Sequence, residues 1–536
     1  MSASASAFTR RRLLAVSGAA GVAILLPDGV RVADAASRKK VPLARGGGFS
    51  SGVMSGDPAP DAVTLWTRLD DVQEAGRARL RLEIARDEGF SKVVLRRDVP
   101  VTALRDWTAK VRVSGLDPDE RYWFRFATRS SSSPVGRTQT APAKDSKRPL
   151  TIGYFACQDY ASGFYGAYQA MLARDPDVVV CGGDYIYERV FRESGYGNAR
   201  KDTIGKDGDG TARTLADYRA KYRLYRTDPD LQELQRLTPL VAQWDDHEVS
   251  DNYAGGAERN PYAEEPFDTW DRDRMLAGWR AWHEHMPALR FGRSLRQFRD
   301  LQLGALAHLH VLDSRSYRDP QPCEDSSLAP CGETGAKRSY LGREQLTWLQ
   351  DGLASSPAAW QVVLNQLMVM PFDVLPTLPV TVDSWEGYAA ERGELLRSIE
   401  QRRVDDVVFL TGDIHTFFGG EVRRDGRTGP AVATELVGGS TTSPGTAELL
   451  QNQVSQGLLS ADVLKGITDT AVPALNPWMR YAETRSHGCM VLEVREKEVR
   501  ADVLGSRDVL THAGSRDVRT LERLRIPRGR ARVEVG

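Results

Sequence analysis

Four apolar runs, each closed by a cluster of metal-ligating side chains, constrain this chain more than any other feature. Leu150–Ala156 ends on Cys157-Gln158-Asp159, and Val178–Cys181 on Gly182-Gly183-Asp184-Tyr185-Ile186-Tyr187. Leu240–Trp244 ends on Asp245-Asp246-His247-Glu248, and Val407–Leu410 leads to Gly412-Asp413-Ile414-His415. Short apolar runs of this kind read as buried strands of an α/β protein. In open α/β sheets, ligands bind beyond the carboxyl ends of the strands. Thiol, carboxylate, phenol and imidazole delivered together there point to a hydrolase with two metals.

Two metals held about 3.5–4 Å apart need a bridging ligand, and a carboxylate serves. Asp184, following two glycines, is placed for it, and Tyr187 is a hard oxygen ligand that favours ferric iron. Cys157 adds a thiolate. Asp413 and His415, two apart, face the same side of an extended chain, so one can serve each metal. Asp246, with Asp245 as the alternative, offers a further carboxylate. Asn365, closing the run Trp360–Gln366, offers a carbonyl oxygen. A second site rich in carboxylate and carbonyl suits Ca²⁺ better than Zn²⁺. His247 is read as a proton donor to the leaving group or to a phosphoryl oxygen, and Arg315 as a bidentate phosphate clamp. No activated Ser or Thr motif calls for a covalent intermediate.

The 536 residues carry no net charge, which argues against a dedicated nucleic-acid partner. Only eight histidines are present, so a metal site must lean on Asp, Tyr and Cys. Residues 1–35 read as an export leader: Thr9-Arg10-Arg11-Arg12-Leu13-Leu14 is a twin-arginine pattern, an apolar stretch follows, and Ala33-Asp34-Ala35 is a cleavage site. A secreted, monomeric protein without membrane insertion follows as the expectation, with the twin-arginine translocase as its partner during export. In an oxidising compartment Cys323 and Cys331 are expected to pair as a disulfide. Cys181 reads as a core thiol.

Residues 48–140 read as an all-β sandwich domain. Ala62–Leu69, Ala78–Ala85 and Trp107–Val113 alternate in period two, and Tyr122 stands where fibronectin- or Ig-like domains tie down a strand corner. Residues 138–148 read as a linker. From 149 to 525 strands alternate with helices, such as Tyr165–Ala173, Arg213–Arg226 and Gly342–Leu353. Residues 191–212 and 314–340 read as insertions, the first exposed near the site. Met490–Val494 and Val499–Leu504 read as antiparallel strands.

These motifs together resemble the PhoD-type alkaline phosphatases, a branch of the metallophosphoesterases related to purple acid phosphatases. The resemblance rests on Gly52-Val-Met-Ser-Gly-Asp-Pro58 with Leu65–Leu69, on Gly183-Asp184-x-x-Tyr187, on Asp246-His247-Glu248, and on Gly412-Asp413-x-His415. Leu312-Asp313-Ser314-Arg315 and Asn476-Pro477 add to it. It implies a metallophosphoesterase-like α/β sandwich behind the N-terminal domain. It implies Fe³⁺ held by Cys157, Asp184, Tyr187 and His415, and Ca²⁺ held by Asp184, Asp246, Asn365 and Asp413. It further implies hydrolysis of phosphomonoesters or phosphodiesters, including teichoic-acid-like polymers, with phospholipase D action on choline lipids as the alternative. Trp478 replaces a histidine common after Asn-Pro, and His487-Gly488-Cys489 reads as structural. The competing class is a non-catalytic secreted binding protein with a structural metal. Such a site would be closed and rich in Cys and His.

Overall fold

The computed structural model describes residues 41–191, 197–255, 272–289, 296–322, 337–375, 378–448 and 472–536. The export leader and both Cys323 and Cys331 lie outside the described residues.

Period-two alternation builds the centre. In Leu150–Phe155, Ile152 and Tyr154 point to one face and Phe155 to the other. Val178 and Val180 likewise oppose Val179 and Cys181, and Val241 opposes Leu240 and Ala242. These three strands run parallel in the middle of a ten-stranded sheet. A second sheet, of seven strands, has Ala307–Val311, Trp360–Asn365, Val407–Thr411 and Ala431–Val437 parallel at its centre. Leu309, Val362, Leu364, Val408, Leu410 and Leu436 turn from it to meet the inner face of the first sheet in one apolar core. Phe409, Val363 and Val437 turn outward under the helices Arg343–Ser355 and Ala389–Gln401. The helices Ala167–Leu172, Leu215–Tyr225, Pro229–Leu237 and Arg272–His285 cover the outer face of the first sheet. The product is a four-layer sandwich, helices outside two face-to-face sheets. Gly488–Val494 and Glu498–Ser506 extend the first sheet in antiparallel fashion.

The N-terminal strands split between two sheets. Arg77–Ala85, Val93–Thr102, Arg121–Ala127 and Gly136–Gln139 form a four-stranded sheet. Val53–Ala59, Ala62–Arg68 and Thr108–Ser114 face it across an apolar core. Those three strands also continue the ten-stranded sheet, through the parallel pairing of Gly56 with Leu240. The Tyr122 hydroxyl accepts from the Asp117 amide at 2.9 Å, tying the expected strand corner.

Two readings of the connections need correction. The stretch read as a linker from 138 begins inside a strand, Gly136–Gln139. Within the stretch read as an exposed insertion, residues 197–212 are pinned by an interior ion pair. Lys221 Nζ donates to Asp202 Oδ2 at 2.5 Å and to the Gly210 carbonyl at 2.6 Å, and both side chains are buried. Its Lys, Asp and Gly residues read as solvated because the partner lysine lies on a later helix.

Candidate metal centre

The loops that leave four parallel strands meet at one end of the sandwich. Cys157, Asp184, Asp413 and His415 all take left-handed backbone angles, with φ of 55°, 52°, 66° and 55°. Residues with a Cβ adopt such angles at a cost, and they concentrate where function over-determines the backbone. The strand Val407–Thr411 ends before Asp413. Asp413 and His415 therefore share a side through a tight turn, closed by Ile414 N–H to the Gly412 carbonyl at 2.8 Å, and not through an extended pleat.

The side chains form three overlapping groups whose ligand atoms lie within 4.8 Å of one another: Cys157–Asp184–His415, Asp184–Asp246–His247 and Asp245–Asp246–Asp413. Asp184 joins the first two and Asp246 the last two. Tyr187 belongs to the first group by contact: its hydroxyl donates to Asp184 Oδ2 at 3.0 Å and lies 3.1 Å from His415 Nε2. Cys157, Asp184, Tyr187, Asp245, Asp246 and His247 are buried, while Asp413 and His415 are partly exposed.

Electrostatics asks for a cation here. Burial, then the facing Asp246 and Asp245, pushes the Asp184 carboxyl well up. Burial, then Asp245, does the same to Asp413. Burial and the Asp184 carboxylate push up both the Cys157 thiol and the Tyr187 phenol. Asp245 Oδ2 and Asp246 Oδ1 are buried without a hydrogen-bond donor. Crowded acids with orphaned oxygens are costly unless a positive charge joins them. Oxygen, thiol and imidazole donors fit one softer and one harder metal ion.

Two expected residues behave differently. Arg315 is not free to clamp a phosphate. It is fully buried, and its guanidinium meets Asp245, Asp383 at 2.8 Å and Asp413 at 2.9 Å, with Asp246 at 3.5 Å. It is an internal counter-charge that gathers the carboxylates, and Arg318 holds Asp383 from the far side. Asn365 is turned to the protein: its amide nitrogen donates to the Leu367 carbonyl, and its oxygen accepts from Trp385 Nε1 at 3.3 Å. Its hydrogen bonds reach none of the carboxylates.

Two further carboxylates support the centre: Glu248, part of a motif but given no role in the sequence, and Glu188, not singled out there. Glu248 accepts from the amides of Tyr185 at 2.7 Å, Asp184 at 3.2 Å and Asp245 at 2.8 Å, which staples two of the loops together. Glu188 Oε2 sits 2.7 Å from His247 Nδ1. The His247 ring stacks on Tyr187 at 4.1 Å. Burial disfavours its charged form, but Asp246, Glu188 and Asp184 outweigh this and raise its pKa well above the usual imidazole value. The sequence places Glu188 beside Tyr187, but nothing in it says that the side chain turns toward a histidine 59 positions later.

A two-sheet sandwich with a thiol- and carboxylate-rich, cation-seeking centre at its strand ends defines a phosphoesterase-type hydrolase fold. The family model for the PhoD-like phosphatase matches residues 152–503, and that for the PhoD-like phosphatase N-terminal domain matches residues 35–142. Alkaline phosphatase D of Bacillus subtilis (strain 168) is 35% identical over 415 residues, covering 74% of this chain and 70% of that protein. A solved structure of PhoD superposes with a TM-score of 0.78 at 29% identity, over 91% of this chain and 92% of that one. A purple acid phosphatase from yellow lupin seeds shares the fold at a TM-score of 0.52 and 10% identity, over 89% and 73%. The chain belongs to the PhoD-like phosphatase family and is a phosphoric ester hydrolase.

Proposed function

We propose that this enzyme hydrolyses phosphodiesters and phosphomonoesters outside the cytoplasm, exported by the twin-arginine route, with ferric iron and calcium as its metals. The observation that carries the reading is the pair of groups Cys157–Asp184–His415 and Asp245–Asp246–Asp413, linked through Asp184 and Asp246. Cys157, Asp184, Tyr187 and His415 would hold the iron, and Asp184, Asp246 and Asp413 the calcium. When bound, such ions supply Lewis acidity and neutralise phosphoryl charge.

The chain's own residues supply the rest. Glu188 accepts from Nδ1 of His247 and holds the ring, which leaves Nε2 as the nitrogen available to protonate the departing oxygen. Arg315 keeps Asp245 and Asp413 in register and limits their mutual repulsion. Stacking on Tyr187 fixes the plane of the His247 ring.

The test is turnover of nitrophenyl phosphate mono- and diesters, with and without calcium, paired with elemental analysis and a visible spectrum. A phenolate-to-iron charge-transfer band with calcium-dependent turnover supports the reading. A colourless, iron-free, active protein removes the iron assignment to Tyr187 and Cys157. Choline release from phosphatidylcholine vesicles exceeding ester turnover would move the substrate class to phospholipids.

A further inference from the structure

His487 is buried at the start of the strand Gly488–Val494, and both of its ring nitrogens are engaged. Nδ1 lies 2.9 Å from Ser440 Oγ, and Nε2 lies 3.0 Å from Glu448 Oε1. The Ser440 hydroxyl gives its single proton to the Ser443 carbonyl, so its oxygen accepts from His487. The other oxygen of Glu448 accepts the Gly445 amide at 2.7 Å. One imidazole–carboxylate pair therefore ties both ends of the loop 440–445.

Pro444 lies inside that loop, and its carbonyl accepts from His415 Nδ1 at 2.8 Å. This bond fixes the tautomer of His415 and turns Nε2 toward Tyr187, Asp184 and Cys157. The peptide unit that carries the Pro444 carbonyl has the Gly445 N–H at its other end, and Glu448 holds that N–H. The aim of the Pro444 carbonyl thus depends on its neighbours. The same loop reaches the other side of the centre: Ser443 Oγ donates to the Cys157 carbonyl at 2.9 Å, and Thr442 Oγ1 to the Asp159 carbonyl at 2.7 Å.

We propose that His487 and Glu448 are a positioning pair for His415, acting through the Ser440–Gly445 loop to present its Nε2 to the cation that Cys157, Asp184 and Tyr187 share. The proposal rests on the reading of those residues as metal ligands. The pair lines a cavity of about 900 Å³, so truncating either side chain enlarges a space already present and leaves the apolar core intact.

The test titrates ferric iron alone into metal-stripped wild type, His487→Ala, Glu448→Ala and His487→Gln. Binding is followed by the visible band and by equilibrium dialysis, and the melting temperature of each metal-free form is recorded. Loss of a partner that orients a metal-bound histidine typically weakens metal affinity by about 10- to 100-fold. Both alanine variants should show that loss with an unchanged metal-free melting temperature. His487→Gln, whose amide N–H₂ can stand in for Nε2 toward Glu448, should recover part of the affinity. Unchanged iron affinity in the alanine variants would overturn the proposal. So would weakened binding matched by a drop in metal-free stability that glutamine does not rescue, since the pair would then only hold the fold. A wild type that takes up no iron would overturn the underlying metal reading as well, which separates the two failures.

Discussion

At the scale of single residues, the centre stores charge that folding alone leaves uncompensated. Asp184 lies in two of the three ligand groups, and its own amide is held by Glu248. Asp184→Asn should abolish turnover and remove the metal-induced rise in melting temperature together, because both depend on the same carboxylate. Full activity in that variant would dismantle the site assignment. Glu435 gives a pH prediction independent of any metal. Its buried carboxyl accepts from the Val369 and Met370 amides and from Thr411 Oγ1, yet burial pushes it up to about 7 from 4.5. The folded state keeps a proton that the unfolded chain releases near 4.5. The stability this group contributes is therefore complete below pH 4.5 and lost as the pH rises to about 7. At about 1.4 kcal/mol per pH unit, that interval amounts to on the order of 3 kcal/mol. Glu435→Gln should flatten the decline when denaturant midpoints are compared between pH 4.5 and 7.5, and parallel curves would assign it to other groups. The ligand types were legible from sequence because each follows a recognisable apolar run. The role of Arg315 was not, because one arginine in a polar motif looks the same whether it faces phosphate or four carboxylates.

Elements set how rigidly those residues are held. The helix Arg272–His285 presses Gly278 on the Glu248 carbonyl, where an added Cβ would come within 2.5 Å of that oxygen. Trp244, just ahead of Asp245, stacks on Trp279 of the same helix at 5.5 Å. Gly to Ala inside a helix normally gains about 1 kcal/mol. Here Gly278→Ala should instead cost about 1–3 kcal/mol of overpacking and displace the Asp245–Glu248 loop. Lower kcat beside a reduced urea midpoint is the expected outcome, and a stabilised, fully active variant would show that the contact relaxes freely. Continuous apolar runs made the central strands readable, since each face of each strand is buried against a different layer. The left-handed turn at Cys157 was not readable, because cysteine does not signal a positive φ.

For the whole molecule, the ion pair between Asp57 and Arg299 ties the N-terminal strands to the second sheet. Both residues are buried: Asp57 Oδ1 meets Arg299 Nη2 at 2.8 Å, Oδ2 meets Nε at 2.9 Å, and Arg299 also donates to the Ala242 carbonyl. Removing one partner of such a pair leaves a buried charge alone, at about 3–5 kcal/mol. Asp57→Ala should lower the melting temperature sharply, and Asp57→Ala with Arg299→Met should recover much of it, as differential scanning calorimetry would show. Equal melting of the wild type and the single variant would mean the pair is dispensable. The N-terminal strands were legible as a sandwich, but their continuation into the ten-stranded sheet through Gly56 and Leu240 was not, since one parallel bridge leaves no periodic trace. By itself the sequence determined the central strands and the kinds of side chain at their ends, because hydrophobic pattern and side-chain chemistry are local properties. Tertiary structure alone decided which carboxylates meet, that Arg315 lies among them, that Asn365 turns away, that Glu188 meets His247, and that the Pro444 carbonyl meets His415. Those outcomes depend on which loops pack together from distant parts of the chain, and on where buried charge finds its partner.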